Sequence, residues 1–172
     1  MGLFDLINGK KEYLLNWQRL VLTNSPNKLI MTEQQLNAIT KQQADRDLEI
    51  IRDCAKLVEQ TKSPDVFFMR LNLLIKKLSH LASLEKYITI SIPGTSITAA
   101  CYDVARNYQE EVKKFLVRYF SDTFDKAEAM KTEKGRIGKY QKFYDSLQEY
   151  YRYMNAANID YVETKYKAYT RP

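Results

Sequence analysis

The chain has 172 residues and a formal net charge of +6, with a hydrophobic fraction of 45% and a charged fraction of 28%. A chain of this length can bury a core without disulfides or a structural metal, and its apolar content excludes an intrinsically disordered protein. Only 5 glycines and 4 prolines are present, which favours a helix-rich fold. We predict one helical domain over residues 1–172.

The compartment is predicted from the cysteines and from the lack of targeting signals. Cys54 and Cys101 fall on apolar stripes, and two cysteines make no disulfide framework. The N-terminus lacks a secretory signal, and no apolar run reaches the roughly 20 residues that span a bilayer. We therefore predict a soluble, cytoplasmic protein with two reduced core thiols.

The N-terminal segment, residues 1–24, contains a cluster of large apolar side chains: Leu3, Phe4, Leu6 and Ile7. The apolar pattern over residues 3–22 predicts one or two short helices. We predict that this segment docks onto the chain's own bundle as a strap. The alternative is a helix that binds a membrane surface or a partner.

The first long helix is predicted from Thr32, which forms a capping box with Gln35, to about Thr61. Its apolar positions lie near both ends, whereas residues 40–47 are nearly all polar. That polar middle either projects from the bundle or faces something polar.

The second helix is predicted to start at Ser63 and Pro64, an N-cap followed by a first-turn proline. The apolar residues that follow alternate between spacings of 4 and 3: Phe67, Leu71, Leu74, Leu78 and Leu81. This periodicity predicts the most buried helix of the bundle.

The period changes from helical to alternating around residues 87–98, where Ile88, Ile90 and Ile92 are separated by polar residues. We predict an irregular or short β-like connection, which is either an extended crossover or a small hairpin. An exposed strand pairs readily with a second copy or a partner. Ile88 and Ile90 are therefore candidate partner contacts.

The C-terminal half predicts further helices. One begins near Thr98, continues past Phe124 and takes Gly135 as its C-terminal cap. The next extends from about Ile137 to Asn155 on a stripe with spacings of 3, 4, 3, 4 and 3: Ile137, Tyr140, Tyr144, Leu147, Tyr151 and Met154. The tyrosines after it predict a short terminal helix or an extension. The fold class is thus all-α, a bundle of four to six helices with one irregular or short β-like connection.

Catalytic and metal chemistry has little support in the sequence. The chain has one histidine, His80, whereas a di-metal carboxylate site in a bundle needs two Glu-x-x-His pairs. One histidine also excludes a zinc site with two His ligands and weakens Ser–His or Cys–His nucleophile schemes. We predict that His80 lies at the surface or its boundary. We assign no catalytic residue, no metal ligand and no cofactor, and predict that the protein is not an enzyme.

The segment 134–139 reads Lys-Gly-Arg-Ile-Gly-Lys and is the nearest approach to a phosphate-binding loop. It lacks the Walker spacing and does not lie between a strand and a helix. A turn between two helices is the better interpretation.

Positive charge concentrates near the C-terminus. Residues 131–172 hold nine Lys or Arg against five acids, which accounts for +4 of the net +6. Basic side chains interleaved with tyrosines can contact phosphates and stack on bases. The candidate partner or phosphate contacts in this region are Arg136, Lys139, Lys142, Tyr150, Tyr153 and Tyr166.

These patterns together predict a non-enzymatic helical interaction or assembly protein. Its predicted partner is another protein or a second copy of the chain, ahead of nucleic acid and of a peripheral membrane contact. The alternative function is a nucleic-acid-binding module that uses the basic, Tyr-rich C-terminal region.

Overall fold

A computed structural model describes residues 12–15, 33–85, 88–92 and 95–170. These residues form five α-helices, a short 3-10 helix and three short strands. In chain order they are β1 (Glu12–Leu15), α1 (Glu33–Gln60), α2 (Pro64–Leu84), β2 (Ile88–Ile92), β3 (Thr95–Ser96), α3 (Ile97–Glu128), α4 (Glu133–Gln148), the 3-10 helix Tyr151–Tyr153, and α5 (Ala156–Thr170). The predicted all-α bundle of four to six helices is confirmed.

The chain divides into two compact units. Unit 1 comprises Met1–Lys56 and Asn72–Ala105, and unit 2 comprises Leu57–Leu71 and Arg106–Pro172. Helices α1, α2 and α3 contribute residues to both units. That the whole chain is one domain stays a prediction.

The predicted starts of the first two helices are confirmed. α1 begins at Glu33, directly after the predicted cap at position 32, and ends at Gln60. α2 begins at Pro64, where the missing N–H of proline leaves no intrahelical bond unmade. The amide of Phe67 donates to the carbonyl of Ser63 at 3.0 Å and closes the first turn.

The core of unit 1 is aliphatic and is formed by one face of each of three helices. Its buried members are Ala44, Leu48, Ile51, Cys54, Ala55, Leu74, Leu78, Leu81, Ile97 and Val104. Thr40, Ala44 and Asp47, at spacings of 4 and 3 on α1, are also buried. One side of the polar middle of α1 therefore faces inward, and Asp47 on that side meets polar partners on α2.

The connection between α2 and α3 contains a hairpin. β2 pairs antiparallel with β3, with Ser91 opposite Ser96, and β1 pairs antiparallel with the other side of β2. The predicted β-like connection is confirmed, in its hairpin form. The start of α3 is held by Glu85, whose carboxylate accepts from the amide of Ile97 at 2.9 Å.

The helical prediction for residues 3–22 is wrong at Glu12–Leu15, which form β1. In the sheet, Tyr13 lies opposite Ile90 and Leu15 lies opposite Ile88. Strand pairing joins segments far apart in the chain, so a local apolar pattern does not reveal it. The other residues of the predicted strap lie outside the described residues.

The core of unit 2 is rich in aromatic side chains. Its buried members are Val58, Phe67, Phe68, Leu71, Val112, Phe115, Leu116, Tyr119, Phe120, Leu147, Met154 and Val162. The rings of Phe67 and Phe115 stack with centroids 4.1 Å apart, and the edge of Phe68 meets Phe67 at 5.1 Å. α2 and α3 are thus joined in unit 2 by aromatic packing.

The predicted helix over residues 137–155 is wrong at its C-terminal end, because α4 ends at Gln148 and α5 begins at Ala156. Asn155 caps α5, since its side-chain oxygen accepts from the amide of Asn158 at 2.9 Å. From α3, Gln109 donates to the carbonyl of Tyr153 at 3.1 Å and accepts from the amide of Asn155 at 2.9 Å. These bonds satisfy backbone groups that a continuous helix would have used internally.

α5 is held against α4 by tyrosine hydroxyls. Tyr144 and Tyr151 each donate to the carboxylate of Glu163 at 2.8 Å. These two hydrogen bonds lower the pKa of Glu163, so the carboxylate accepts both bonds at neutral pH. The separate terminal helix, one of the two predicted forms, is the one observed.

Gly135 is not the C-terminal cap of the preceding helix. α3 ends at Glu128, and Thr132 is the N-cap of α4, with its hydroxyl accepting from the amide of Gly135 at 3.1 Å. Residues 134–139 therefore lie within α4, and their interpretation as a turn between helices is wrong. The capping preference of Thr132, followed by Glu133 in the first turn, outweighs the two glycines.

The two glycines of α4 make a matched test of this cap. A Cβ on Gly135 would lie 2.9 Å from Oγ1 of Thr132, whereas a Cβ on Gly138 meets nothing within 4 Å. We expect Gly138→Ala to raise the free energy of unfolding by about 0.5–1 kcal/mol through helix propensity. Gly135→Ala should show no such gain, because displacing the cap costs about 1 kcal/mol. Urea denaturation of both variants measures the difference, and an equal gain in both would contradict the capping role of Thr132.

Candidate functional site

The side chain of Asp47 on α1 is completely buried and is held by groups on α2. Nζ of Lys77 donates to Oδ1 at 2.7 Å, and Nδ1 of His80 bonds Oδ2. Gln43 adds a bond from Nε2 to Oδ1 at 3.2 Å. Burial works to raise the pKa of Asp47, but the bonds from Lys77 and His80 outweigh it and hold the pKa below its usual value.

This cluster lacks the contacts of a nucleophile site. The imidazole of His80 is 44% exposed, which agrees with its predicted place at the surface. The nearby hydroxyls bond elsewhere: Ser83 donates to the backbone carbonyl of His80 at 2.6 Å, and Ser79 lies 3.6 Å from Sγ of Cys101. The cluster joins α1 to α2 in unit 1, and its hydrogen bonds account for both carboxylate oxygens.

A cleft of about 250 Å³ opens in unit 2 where the end of α3, the start of α4 and the end of α5 meet. Its lining residues are Phe124, Glu128, Glu133, Arg136, Ile137, Tyr140, Ala168 and Tyr169. α4 starts after its N-cap Thr132, and α5 runs from Ala156, after its cap Asn155, to the cleft at its C-terminal end.

The aromatic part of the lining is packed ring on ring. Tyr169 stacks on Tyr140 with centroids 4.9 Å apart and lies 5.4 Å from Phe124 at an angle of 45°. Burial raises the pKa of Tyr140 and of Tyr169, so both hydroxyls stay protonated at neutral pH. We call these three rings the aromatic floor of the cleft.

Three large apolar side chains of α3, of the turn that follows it and of α4 remain open to solvent. Phe124 is 39% exposed, Met130 is 42% exposed and Ile137 is 40% exposed. Met130 follows α3, and its Cε lies 3.2 Å from the position a Cβ would take on Gly135. Phe124 and Ile137 line the cleft, whereas Met130 lies in the turn between α3 and α4.

The charged part of the lining has both signs. Nη1 of Arg136 lies 3.8 Å from Oε2 of Glu128, which is longer than a direct hydrogen bond. Glu133, in the first turn of α4, supplies a second carboxylate. Because these groups are accessible to water, the ion pair contributes little to stability and leaves the guanidinium able to take another acceptor.

The predicted basic contacts lie at different places on α4. Arg136 lines the cleft, whereas Nζ of Lys139 lies 5.4 Å from the ring centroid of Phe143, and Lys142 is exposed. The structure does not gather them into one anion site.

The predicted tyrosine contacts are packed within unit 2. Tyr150 stacks on Phe68 at 4.6 Å and donates to Asp65, which raises the pKa of Tyr150 to about 12. Tyr153 lies over the same phenylalanine at 5.8 Å. Tyr166 stacks on Tyr144 at 4.0 Å. Each of these three tyrosines, although off the apolar stripe, packs one face of its ring against another aromatic ring of the same chain. A partner contact by them stays a prediction.

Ile88 and Ile90 lie in β2, which is the central strand of the sheet. β1 of the same chain pairs with residues 88–91 of this strand. The prediction treated the backbone edge of this strand as available to a partner. Along residues 88–91, however, β1 of the same chain is paired with one edge of β2. A partner contact by these two residues stays a prediction.

Sequence reasoning named Arg136 as a contact but missed the cleft around it. Tyr140 and Ile137 lie on the predicted apolar stripe, and helix periodicity does not show which stripe positions stay open at a helix end. The cleft is formed where three helix ends meet, and no local pattern in the sequence marks that meeting.

Among the described helices, none has the length and apolar character needed to cross a bilayer. No group of three or more His, Cys, Asp or Glu in the described part of the chain is placed to hold a metal ion.

Comparisons with other proteins assign no function to the cleft. The chain matches no protein-family model, no curated protein and no solved structure.

Proposed function

We propose that this chain is a non-enzymatic interaction or assembly protein and that the cleft in unit 2 is its protein-binding surface. One observation carries the proposal: Phe124 and Ile137, which both line the cleft, stay about 40% exposed. Large apolar side chains grouped at a recess and bordered by charges are typical of protein-binding surfaces.

The aromatic floor supports binding because it is already ordered. Tyr169 is packed on Tyr140 and Phe124 in the chain alone, so these rings lose little rotamer freedom when a partner arrives. Aromatic side chains held in this way are frequent anchors of protein interfaces.

The charges favour a protein partner over a polyanion at this surface. The lining contains two carboxylates, Glu128 and Glu133, against one guanidinium, Arg136. A phosphate backbone would meet both carboxylates, and nucleic-acid binding depends on surplus positive charge. The nucleic-acid-binding alternative is therefore the weaker proposal, and it would need Lys142 and other residues outside the cleft.

A cytoplasmic location is part of the proposal. Cys54 is buried, Cys101 is partly buried and neither belongs to a disulfide. Thiols in this state are the usual condition of proteins in a reducing compartment.

Site-specific photo-crosslinking tests the proposed surface. A p-benzoylphenylalanine placed at the position of Ile137 should give a protein adduct in cells, because that side chain borders the cleft. The same probe at Val117, an exposed apolar position on α3 outside the lining, is the matched control. Mass spectrometry identifies the adduct, whether a second copy or another protein.

The identified protein is then purified and titrated against the wild type and Phe124→Ala. Loss of the ring should weaken binding by about 1–2 kcal/mol, since an apolar anchor contributes through the area it buries. Equal adducts at positions 137 and 117, or binding unchanged by Phe124→Ala, would contradict the assignment of the cleft as the binding surface.

A further inference from the structure

We propose that His80 is a phosphoryl-acceptor site: Nε2 of its imidazole takes a phosphoryl group from an acyl phosphate or a phosphoramidate and carries it as phosphohistidine. The site lies on α2 in unit 1 and shares no residue with the cleft in unit 2. The inference goes beyond the proposed function, because it concerns a chemical modification and not a protein-binding surface.

The bond to Asp47 leaves one nitrogen of the imidazole as a nucleophile. The pKa of Asp47 is lowered by its bonds to α2, so its carboxylate is ionised at neutral pH and only accepts hydrogen bonds. Nδ1 of His80, which bonds Oδ2 of this carboxylate, therefore carries the hydrogen. In the neutral imidazole the free lone pair then lies on Nε2. A carboxylate behind a ring N–H fixes the orientation of the ring and raises the basicity of its other nitrogen.

Nε2 is the part of the ring that a reactant can approach. Nδ1 faces a completely buried carboxylate, whereas the imidazole as a whole is 44% exposed, so the exposed edge is the one away from Asp47. Nε2 makes no hydrogen bond with a described residue. The hydroxyls of Ser79 and Ser83 bond elsewhere, so the ring nitrogen itself is the group available for a covalent bond.

The charges around His80 favour the approach of an anionic phosphoryl donor. Lys77, which bonds Oδ1 of Asp47 at 2.7 Å, balances the buried carboxylate, so that the carboxylate does not repel the donor. Lys76 lies one helical turn before His80 on α2 and is exposed. It forms no ion pair with a described residue, and its ammonium can therefore contact the phosphoryl oxygens.

The transfer balances without an oxidant or a reductant. The lone pair of Nε2 forms the N–P bond while the bond from phosphorus to the leaving group breaks. An acyl phosphate releases a carboxylate and phosphoramidate releases ammonia, and each leaving group keeps the electron pair of the broken bond. The hydrogen on Nδ1 stays in its bond to Asp47, whose negative charge offsets the positive charge that the phosphorylated ring acquires.

Reaction of the folded, untagged protein with phosphoramidate tests the site, because His80 is the only histidine of the chain. Mass spectrometry should find one phosphoryl group per chain, which is lost in acid as an N–P bond requires and is absent from His80→Gln. Acetyl phosphate is the second donor. Reaction with both donors supports the proposal in full. Reaction with phosphoramidate alone supports the site and limits its donors to P–N compounds, such as a phosphohistidine of another protein.

The position of the phosphoryl group tests Asp47 as a positioning residue. In the folded wild type the group should be on Nε2 alone, whereas the chain unfolded in urea should also carry it on Nδ1, because the bond to Asp47 is then lost. Phosphorus and nitrogen NMR distinguish the two products, and this measurement needs no variant.

The reaction rate gives a second test of that role. Asp47→Asn should react about tenfold more slowly than the wild type, since a neutral amide supports the basicity of Nε2 less than a carboxylate does. Asp53→Asn, at an exposed position on the same helix, is the matched control and should react like the wild type. Far-UV circular dichroism checks that each variant is folded.

Four results would overturn the inference. They are a folded wild type that gains no phosphoryl group, a group that remains in His80→Gln, a group found on Nδ1 in the folded chain, and a folded wild type that reacts no faster than the unfolded one. Each of these results leaves the crosslinking test of the cleft unaffected, so the inference and the proposed function can fail separately.

Discussion

Phe115→Ala is expected to lower the free energy of unfolding by about 3–5 kcal/mol, the usual range for removing a fully buried phenylalanine. Its ring has no exposed surface and stacks on Phe67 at 4.1 Å, with Tyr119 at 5.6 Å. The loss combines the transfer free energy of the ring with a cavity that α2 and α3 cannot close without moving backbone. The ring contacts of Phe67 and Tyr119 are lost as well.

Phe124→Ala is the matched control, because it removes the same group from the same helix at a position that is partly exposed. It should cost only about 1 kcal/mol, in proportion to the smaller apolar area it buries. Urea denaturation followed by circular dichroism measures both variants. If the two substitutions cost the same, Phe115 does not occupy the core position described for unit 2.

Asp47→Asn is expected to destabilise the protein by about 1–3 kcal/mol at neutral pH. The substitution replaces charge-assisted hydrogen bonds with weaker neutral ones, and it puts an NH₂ group where a carboxylate oxygen had accepted a bond from α2. Lys77 is 24% exposed and His80 is 44% exposed, so water compensates part of the loss on their side. The expected cost is therefore below that of breaking a fully buried ion pair.

The same substitution should change the response to acid. The pKa of Asp47 lies below its reference value of 3.8 in the folded chain. Its contribution is therefore fully present above about pH 4 and is lost as the pH falls from there through the lowered folded value. The wild type should lose stability over that range, and Asp47→Asn should lose less.

Asp53→Asn is the control for this measurement, because Asp53 is exposed on the same helix. Urea midpoints at a series of pH values from neutral to about pH 3 report the contribution. An acid dependence in Asp47→Asn identical to that of the wild type would show that the carboxylate is not held as described.

The parts of the fold that follow from the sequence are those set by local chemistry. Pro64 after Ser63 starts α2, and α1 begins at Glu33 as predicted, because the groups that satisfy a helix end are neighbours in the chain. The predicted cap at position 32 itself lies outside the described residues. The alternation of Ile88, Ile90 and Ile92 indicated the β segment for the same reason.

The parts that were missed depend on distant residues. β1 forms because Tyr13 and Leu15 pair with a strand on the far side of two long helices in the sequence. The helix predicted to continue to Asn155 ends at Gln148, with Gln109 of α3 binding backbone groups beyond that end. The periodicity of apolar residues within a segment does not reveal partners that lie far away in the chain.

The candidate site shows the same division. Arg136 stood out because of its charge in a glycine-containing segment. Phe124, Tyr140 and Tyr169 come from three helices and become a floor only when those helices meet. Apolar periodicity indicates which helix face is buried, whereas the way the three helix ends meet determines which rings stay open to solvent.

Gln109 influences the cleft although it is not one of the lining residues. It binds two backbone groups just before the start of α5, and its own carbonyl accepts from the side chain of Asn158 at 3.0 Å. Tyr169 lies about 21 Å further along the helix axis at 1.5 Å per residue, so a tilt of about 5° at Asn155 displaces that ring by nearly 2 Å. The shape of the recess thus depends on an amide that contacts the opposite end of α5, and a substitution at Gln109 can change that shape while every lining residue stays the same.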